Sequence, residues 1–415
     1  MWMIIIHAMN DAWYLPRLLS PLVKRALKTS PVVVVSGARQ TGKSTLVQRL
    51  GPDMTYETLD DVETLDRAER EPDSLLRSPT PLVLDEVQRS PDLLLAVKRA
   101  VDTRRRAGRF VLTGSANLLL MKRVSETLAG RAVYASLWPL TRREQLGRPE
   151  AGMWSQLFAT PEKDWRDILL ADHGSREDWR VLARRGGYPT PAHELDSAEA
   201  QRQWFAGYTQ TYLERDLRDL SAVASLPDFR RLMRAACLRI GNLVNTTELG
   251  RDVGLPQPTV HRHLSLLEIS YQLVRVPAYA VNRTKRIIKT PKLYWSDTGL
   301  ALFLAGESEP RGAHLENLVL SDLVAWRGSE VEAPEILYWR TSTGEEVDFV
   351  VEWQGRLLPV EVKSTKRPRL VDCKSIAIFR QEYGMQALPG LILHDGSDTT
   401  WLADGILATP WWRVI

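Results

Sequence analysis

Short runs of aliphatic residues recur through the first third of the chain and alternate with segments whose apolar residues are spaced three or four positions apart. The runs rich in β-branched residues lie at 31–35, 81–84, 109–112 and 132–134. Runs of this kind predict strands, and the three-to-four spacing predicts helices between them. We therefore expect a parallel α/β domain in this part of the chain.

The pattern changes after this first block. Residues 147–180 scatter Gly and Pro between tryptophans, which indicates a linker or variable insertion, and residues 181–310 are mostly helical in pattern. An amphipathic helix then precedes strands at 336–341, 346–353 and 356–363, which predicts a second α/β or α+β unit. No internal repeat of fixed period is present. The predicted domains are 1–145, 146–228, 229–310 and 311–415.

Composition narrows the class of protein. The 415 residues are 44% hydrophobic and 26% charged, which is the balance of soluble globular chains and excludes a disordered or fibrous protein. Two cysteines, Cys237 and Cys373, exclude a disulfide framework and favour a reducing compartment. The apolar stretch at 1–9 is far shorter than the roughly 20 residues of a membrane helix. We expect a cytoplasmic protein with no membrane span.

Charge leaves nucleic-acid binding open. The formal net charge is +4, and 43 of the 55 cationic residues are arginine. The planar guanidinium group suits phosphate recognition, but arginine enrichment also follows from the base composition of a genome. The seven histidines form no cluster with cysteine at zinc spacing, so we expect any metal to be held by oxygen.

Residues 37–44 fit the phosphate-loop pattern G-x-x-x-x-G-K-[ST], between a predicted strand and a predicted helix. In such a loop the backbone N–H groups surround phosphate oxygens, Lys43 faces the β and γ phosphates, and Ser44 offers a ligand to Mg²⁺. We therefore expect ATP and Mg²⁺ as cofactors. The predicted nucleotide-binding residues are Gly37, Ala38, Arg39, Gln40, Thr41, Gly42, Lys43, Ser44 and Thr45.

Polar residues follow two later strands of the same domain. Asp85 and Glu86 come directly after a buried run, and Thr113 ends the next. Acids at the carboxyl end of a parallel strand are costly unless they serve a cation, and ligands bind at that end. We expect Asp85 to hold Mg²⁺ through water and Glu86 to orient the attacking water. Thr113 is expected to sense the γ-phosphate or position its water, although the residues that follow it also suit a helix cap.

These motifs resemble those of the AAA+ ATPases, and the resemblance covers roughly residues 13–145. It implies ATP hydrolysis in a homo-oligomer, expected to be a hexameric ring. In that superfamily an arginine finger ends the helix before the fifth strand, and Arg131 stands at that point. Arg131 is therefore either a finger that acts on the neighbouring subunit's nucleotide or a helix C-cap attracted by the dipole.

The helical middle resembles an AAA+ lid followed by a winged helix. In the lid at 181–225, Arg215 is either a second nucleotide sensor or part of a surface ion pair. Two short helices joined at Gly254 match helix-turn-helix punctuation. We expect the second helix to bury Val260, Leu264 and Leu267 and to expose the polar residues between them, and we expect residues 282–286 to form the basic tip of a wing. Such modules bind DNA or dock proteins. The residues expected on the exposed face are Gln257, Thr259, His261, Arg262 and His263.

Four charged residues form a second candidate site near the C-terminus, here called the acid centre: Glu316, Asp348, Glu361 and Lys363. Glu361 and Lys363 lie two apart on one strand and therefore share a face, and a hairpin turn at 354–355 brings Asp348 alongside. Three carboxylates and a lysine can bind Mg²⁺ and cleave a phosphodiester. The arrangement resembles the PD-(D/E)XK restriction-endonuclease-like superfamily, with Val347 where a proline is usual. An ion-pair network, or a relic used for DNA binding, is the alternative.

The resulting fold class is α/β: a P-loop AAA+ parallel-sheet domain, a helical lid with a winged helix, and a C-terminal restriction-endonuclease-like α/β domain. This order resembles a widespread prokaryotic family of AAA-type ATPases with a C-terminal domain of unknown function. We expect an ATP-hydrolysing, DNA-binding motor of DNA repair or recombination, with Asp348, Glu361 and Lys363 in a nuclease site. The alternative is an ATP-switched regulator or defence sensor whose nuclease-like domain does not cut.

Overall fold

The computed structural model describes residues 14–114, 127–172, 174–211 and 225–415. The chain forms two compact units, Met1–Glu150 and Ala151–Ile415. The first unit ends close to the predicted boundary at 145, and the three domains predicted beyond it lie in the second unit. Arg215 and the candidate helix caps Ser115 and Asn117 lie outside the described residues. Along the described ranges, no helix is both long enough and apolar enough to cross a membrane.

The first unit is built on a five-stranded parallel sheet; the pattern predicts four of its strands and misses β2. Its strands stand in the order β2-β3-β4-β1-β5, and each of their pairings is parallel. Because the strands are parallel, the ends of β1, β3 and β4 meet at one edge of the sheet, here called the carboxyl edge. The strands are β1 Val32–Ser36, β2 Thr55–Thr58, β3 Leu82–Asp85, β4 Phe110–Thr113 and β5 Ala132–Ser136.

Helices cover both faces of this sheet. Val32 and Val34 of β1 pack into a core with the long helix α5, whereas Val33 and Val35 point to the other face and pack with α1 and α2. A strand buried on both faces explains why β1 is an uninterrupted aliphatic run. The helices are α1 Ser20–Thr29, α2 Lys43–Gln48, α3 Val62–Arg70, α4 Pro72–Leu75, α5 Leu93–Thr103 and α6 Arg142–Gln145.

The second unit begins with the segment that the sequence indicates to be a linker or variable insertion, and its packing contradicts a linker. Trp154 and Trp165 are fully buried, and the indole of Trp154 donates a 2.6 Å hydrogen bond to Oδ1 of Asp322. The Gly and Pro residues separate short packed helices instead of loosening the chain. These helices are α7 Trp154–Ala159, α8 Trp165–Ala171, α9 Trp179–Arg185 and α10 Ala198–Thr211.

The helix-turn-helix punctuation is confirmed. Gly254 has a φ of 68° and ends one helix, and the next begins after Pro256. Val260, Leu264 and Leu267 are buried as expected, but His263 is buried with them and its ring lies edge-on against Phe229. The helices of this region are α11 Leu226–Cys237, α12 Thr246–Val253 and α13 Gln257–Ile269.

The expected basic wing tip is a helix. Strands β6 Leu273–Val276 and β7 Lys292–Trp295 pair antiparallel, but helix α14 Arg283–Ile288 lies between them, begun by an Asn282 side chain that accepts the N–H of Thr284. Arg286 is buried and pairs with Glu335 and Glu352, so it is not part of an exposed basic tip. Helix α15 Thr298–Ala305 follows.

The C-terminal part carries a six-stranded mixed sheet in the order β12-β13-β11-β10-β9-β8. Strands β8, β9 and β10 form an antiparallel meander, and β11 pairs parallel with β10. The expected hairpin turn is present, with positive φ at Gln354 and Gly355. The strands are β8 Glu335–Arg340, β9 Glu346–Trp353, β10 Arg356–Lys363, β11 Gly390–His394, β12 Thr400–Ala403 and β13 Ile406–Pro410, and the helices are α16 Gly312–Ser329, α17 Lys374–Tyr383 and α18 Trp411–Val414.

Candidate functional site

The phosphate loop joins the end of β1 to the start of α2, as its sequence predicts. Gln40 and Gly42 have positive φ, and Gly42 precedes the first residue of the helix. Gly37 is required sterically, because a Cβ on it would lie 2.3 Å from the carbonyl oxygen of Leu137. The loop therefore lies at the carboxyl edge, with the N-terminus of α2 directly behind it.

Lys43 is folded into the phosphate loop. Its side chain is buried, and Nζ donates hydrogen bonds of 2.7 Å to the Ala38 carbonyl and 3.3 Å to that of Gly37. The hydroxyl of buried Thr41 donates to the same Ala38 carbonyl at 3.0 Å. The ammonium group is thus already held against the loop that the motif assigns to phosphate.

A buried arginine that the sequence analysis missed supports this loop. Arg17 donates to the Thr41 carbonyl at 2.6 Å, and its Nε lies 3.0 Å from Oε1 of Glu144. Glu144 is fixed in turn by a capping box with Thr141 at the start of α6. A buried ion pair with these additional hydrogen bonds positions the backbone of the loop from behind.

Asp85 is held from both neighbouring strands. The Tyr56 hydroxyl on β2 donates a 2.5 Å hydrogen bond to Oδ2, and the Thr113 hydroxyl on β4 donates to Oδ1. Burial, together with the hydrogen bond to Asp85, raises the pKa of Tyr56 well above its usual range, which keeps the phenol a donor. The structure brings Asp85 and Thr113 together, while the expected role of Thr113 toward the γ-phosphate stays a prediction. Tyr56 is a further member that the sequence did not suggest.

Glu86 stands next to this group in an unusual backbone conformation. Its φ is 57°, and its carboxylate accepts a hydrogen bond from the Gln88 side chain. Burial raises the pKa of Glu86, the Gln88 hydrogen bond opposes the rise, and the charge of Asp85 adds to it. A strained residue at the carboxyl edge of a parallel sheet is typical of a functional position.

Arg131 lies just before β5, at the amino ends of the strands and thus opposite the carboxyl edge. Its guanidinium group makes two hydrogen bonds to Asp102 of α5, at 2.6 and 3.0 Å, and the pair is partly exposed. Arg131 is therefore remote from this chain's own phosphate loop. Its predicted role as a finger for a neighbouring subunit stays a prediction.

The four residues of the acid centre come together in the second unit. Val360 of β10 pairs with Phe349 of β9, and Oδ2 of Asp348 accepts the backbone N–H of Val362 at 2.9 Å. Lys363 Nζ lies 2.6 Å from Oε1 of Glu361, while no partner of Glu361 Oε2 is found in the described part of the chain. Both carboxylates are buried.

Three further residues join the acid centre, and the sequence analysis missed them. Lys292 of β7 is buried, with Nζ at 3.3 Å from Oδ1 of Asp348 and 2.5 Å from Oε1 of Glu346. Tyr294, two residues along the same strand, donates a 3.1 Å hydrogen bond to Oε2 of Glu316. The period-two spacing of Lys292 and Tyr294 on one strand is the signal that sequence reasoning could have used.

The carboxylates of the acid centre perturb one another. Burial and then the charge of Asp348 raise the pKa of Glu316 to about 8, and the same two causes raise that of Glu361 to about 8. Burial alone would lower the pKa of Lys292, but the charges of Asp348, Glu316 and Glu346 reverse this and raise it. Lys292 therefore remains an ammonium ion among the acids.

The two sites differ in how well they fit a divalent cation. Ser44 and Asp85 offer the hard oxygen ligands that Mg²⁺ prefers. In the acid centre the Lys292 ammonium contacts Oδ1 of Asp348 and Oε1 of Glu346, so an oxygen atom that a metal ion would need is already paired with a cation. Over the part of the chain that the structure describes, no three His, Cys, Asp or Glu side chains are grouped as metal ligands.

Comparison with protein families assigns three consecutive segments. Residues 29–146 match a family described as AAA domain, residues 176–311 match a domain of unknown function, DUF8612, and residues 311–414 match another, DUF4143. The chain therefore contains an AAA-type ATPase domain, which agrees with the phosphate loop and the parallel sheet. The C-terminal match begins at the start of α16.

Two curated relatives align with nearly the whole of this chain, and a third aligns with part of it. The uncharacterized protein Rv2008c of Mycobacterium tuberculosis is 30% identical over 401 residues, which is 94% of this chain and 82% of that protein; the uncharacterized protein Mb2031c of Mycobacterium bovis gives the same values. An uncharacterized protein of Haemophilus influenzae is 23% identical over 61% of this chain and 58% of its own length. Among solved structures, the Walker-type ATPase PABY2304 of Pyrococcus abyssi is 16% identical over 69% of this chain and 94% of its own, with a TM-score of 0.43.

Proposed function

The chain belongs to the family that includes the uncharacterized protein Rv2008c of Mycobacterium tuberculosis, and we propose that it is a Mg²⁺-dependent ATPase that acts on DNA. The observation that carries the proposal is the convergence of Lys43, Asp85 and Glu86 at the carboxyl edge of an AAA-type domain. Each of these residues has a separate task in phosphoryl transfer, and the sheet topology brings all three to the same edge.

Lys43 and the loop backbone would bind the triphosphate. The ammonium group exchanges its bonds to the Ala38 and Gly37 carbonyls for phosphate oxygens, and the first N–H groups of α2 face the same anion. Ser44 and Asp85 would hold Mg²⁺, which neutralises charge on the phosphates when it is bound. Tyr56 and Thr113 keep the Asp85 carboxylate in one orientation.

Glu86 would orient the attacking water. Its carboxylate is directed by Gln88, and the positive φ turns the side chain away from the path of the strand. Glu86 acts in the ionised form, so its raised pKa moves the lower limit of activity toward neutral pH.

Arg131 is proposed to act between subunits of a ring. Its distance from the chain's own phosphate loop, at the opposite edge of the sheet, favours action on a neighbouring nucleotide over action in its own subunit. The exposed ion pair with Asp102 would then open on assembly. Such a partly exposed pair is weak enough for a phosphate to replace it.

The proposal of DNA as the partner depends on exposed polar surface in the second unit. Gln257, His261 and Arg262 are exposed along α13, the second helix of the helix-turn-helix. Arg283 and Lys285 are exposed on α14. Exposed polar groups on the second helix of a helix-turn-helix, together with exposed cationic side chains in the same unit, suit a duplex, because phosphates are contacted by cations and base edges by amide and imidazole groups.

One observation favours the second candidate, an ATP-switched regulator that does not cut. Lys292 pairs with Asp348 and Glu346 without a metal ion, which suits a structural ion-pair network. The nuclease activity predicted for Glu316, Asp348, Glu361 and Lys363 stays a prediction. Incubation of the wild type and an Asp348→Ala variant with single-stranded, duplex and branched DNA would test it.

The rate of ATP hydrolysis with and without DNA separates the two functions. Continuous turnover that DNA stimulates is expected of the proposed DNA-acting ATPase. Slow turnover that DNA leaves unchanged would contradict it and support the switch. A Lys43→Ala protein serves as the blank for contaminating ATPases.

A further inference from the structure

The acid centre holds more negative charge than a buried site tolerates. Asp348 and Glu361 are buried and Glu316 is partly buried, and the charges of these three groups act on one another. Like-charged carboxylates that are removed from water need a cation, a proton or both. Lys363 pairs with Glu361, which leaves Asp348 and Glu316 to be compensated by another group.

We propose that Lys292 is the built-in counter-ion of the acid centre and that its ammonium excludes divalent cations from it. The ammonium contacts Oδ1 of Asp348 and Oε1 of Glu346. Glu316 accepts a hydrogen bond from Tyr294, which lies two residues from Lys292 on the same strand. A metal ion bound through Oδ1 of Asp348 needs the atom that the ammonium already contacts. Lys292 and a divalent cation therefore bind in competition.

Lys292 is built to stay in place. Its side chain is only 2% exposed, and its ammonium lies 5.8 Å from the centre of the Tyr338 ring, which adds a cation–π attraction. The backbone of Lys292 pairs with Val276 of β6. An exposed lysine would leave for water at little cost, whereas this one is held by its burial and by its two ion pairs.

The counter-ion and the acids belong to different segments of the chain. Lys292 lies within the segment at 176–311, and Glu316, Asp348 and Glu361 lie within the segment at 311–414. Arg286, on the connection between β6 and β7, adds ion pairs to Glu335 and Glu352 of the C-terminal sheet. Cations from the segment at 176–311 therefore pair with acids of the C-terminal sheet at two places.

Binding of Mn²⁺, followed by electron paramagnetic resonance without nucleotide, tests the proposal independently of ATP hydrolysis. All proteins carry Asp85→Asn to remove binding at the phosphate loop. The parent is expected to bind no Mn²⁺ at the acid centre, and Lys292→Met is expected to gain one ion per chain that Asp348→Asn abolishes. Lys374→Met is the matched control, because Lys374 also pairs with a glutamate at 2.6 Å but is 62% exposed.

Two results would overturn the proposal. One is Mn²⁺ binding by the parent that disappears with Asp348→Asn, because Lys292 would then not exclude the ion. The other is a Lys292→Met protein that gains no ion. If Lys292→Met is unfolded, Mn²⁺ is expected to restore its thermal unfolding transition, and failure of that rescue counts against the proposal as well.

Discussion

The hydroxyl of Tyr56 donates a 2.5 Å hydrogen bond to Oδ2 of Asp85, across the boundary between β2 and β3. The other carboxylate oxygen is bound by Thr113 from β4. The aspartate expected to hold Mg²⁺ is thus fixed from both sides by its neighbours in the sheet. Removing one of these donors tests the assignment without touching the carboxylate itself.

We predict that Tyr56→Phe raises the Mg²⁺ concentration needed for half-maximal ATPase activity by about 10–100-fold, the usual cost of losing a hydrogen bond to a metal ligand. The measurement is ATP turnover as a function of Mg²⁺ at saturating ATP. Tyr134→Phe, an exposed tyrosine on β5 of the same unit, is the control. An unchanged Mg²⁺ dependence would count against Asp85 as a ligand of Mg²⁺.

Lys43→Ala and Glu86→Gln should both abolish turnover, but for different reasons. Loss of the Lys43 ammonium removes a phosphate contact, so ATP binding also weakens. Glu86→Gln removes only the orientation of water and should bind ATP as tightly as the wild type. Nucleotide binding by calorimetry, beside a turnover assay, distinguishes them. Wild-type turnover by Glu86→Gln would show that the active-site assignment is wrong.

Arg131→Ala should bind ATP normally and lose turnover by ~10³–10⁵, the range known for arginine fingers. Asp102→Ala, which removes its partner in this chain, should retain turnover. Mixing Arg131→Ala with Glu86→Gln protein tests whether the site crosses subunits, since mixed rings contain sites with both residues intact. Activity that merely adds in mixtures would exclude the ring.

DNA binding should weaken steeply with salt, and Arg283→Ala with Lys285→Ala should reduce that log–log slope by about 2 if both contact phosphate. Arg286 is not part of this set, because it is buried against Glu335 and Glu352. Arg286→Ala should instead lower thermal stability. Fluorescence anisotropy of a labelled duplex at several salt concentrations gives the slope, and an unchanged slope would place the DNA site elsewhere.

Stability of the second unit should fall as pH rises from about 4.5 to about 8. The pKa of Glu316 is raised from 4.5 to about 8, so the folded protein keeps a proton that the unfolded chain loses, and this stabilisation disappears through that window. Glu316→Gln should flatten the decline in the free energy of unfolding, measured with urea at each pH. Exposed Glu332→Gln is the control, and equal slopes in all three proteins would refute the shift.

The sequence predicted site residues that are contiguous in the chain or that lie at the ends of predicted strands. The phosphate loop lies between contiguous strand and helix, and Asp85 and Thr113 lie at strand ends whose common edge follows from parallel topology. Tyr56 was missed because the strand that carries it, β2, was not among the predicted strands. Lys292 was missed because it meets Asp348 across 56 residues, and its period-two spacing with Tyr294 was the one local signal.

Two errors had local signals. His263 stands three residues after Val260 and one before Leu264, so helical spacing already assigns it to the buried face. Asn282 precedes Arg283 and Thr284 as a helix N-cap, a signal that favours α14 over a bare wing. The basic residues at 282–286 had suggested an exposed segment, but the guanidinium group of Arg286 is buried against Glu335 and Glu352.

The buried tryptophans of the second unit make it optically distinct from the first. Of the 14 tryptophans, 11 lie at or beyond Trp154, and three, Trp2, Trp13 and Trp138, belong to the first unit. Intrinsic fluorescence therefore reports mainly on the second unit, while ATP is expected to bind in the first. A change in emission on adding nucleotide that persists when Trp2, Trp13 and Trp138 are replaced by phenylalanine would signal communication between the two units, with no probe attached.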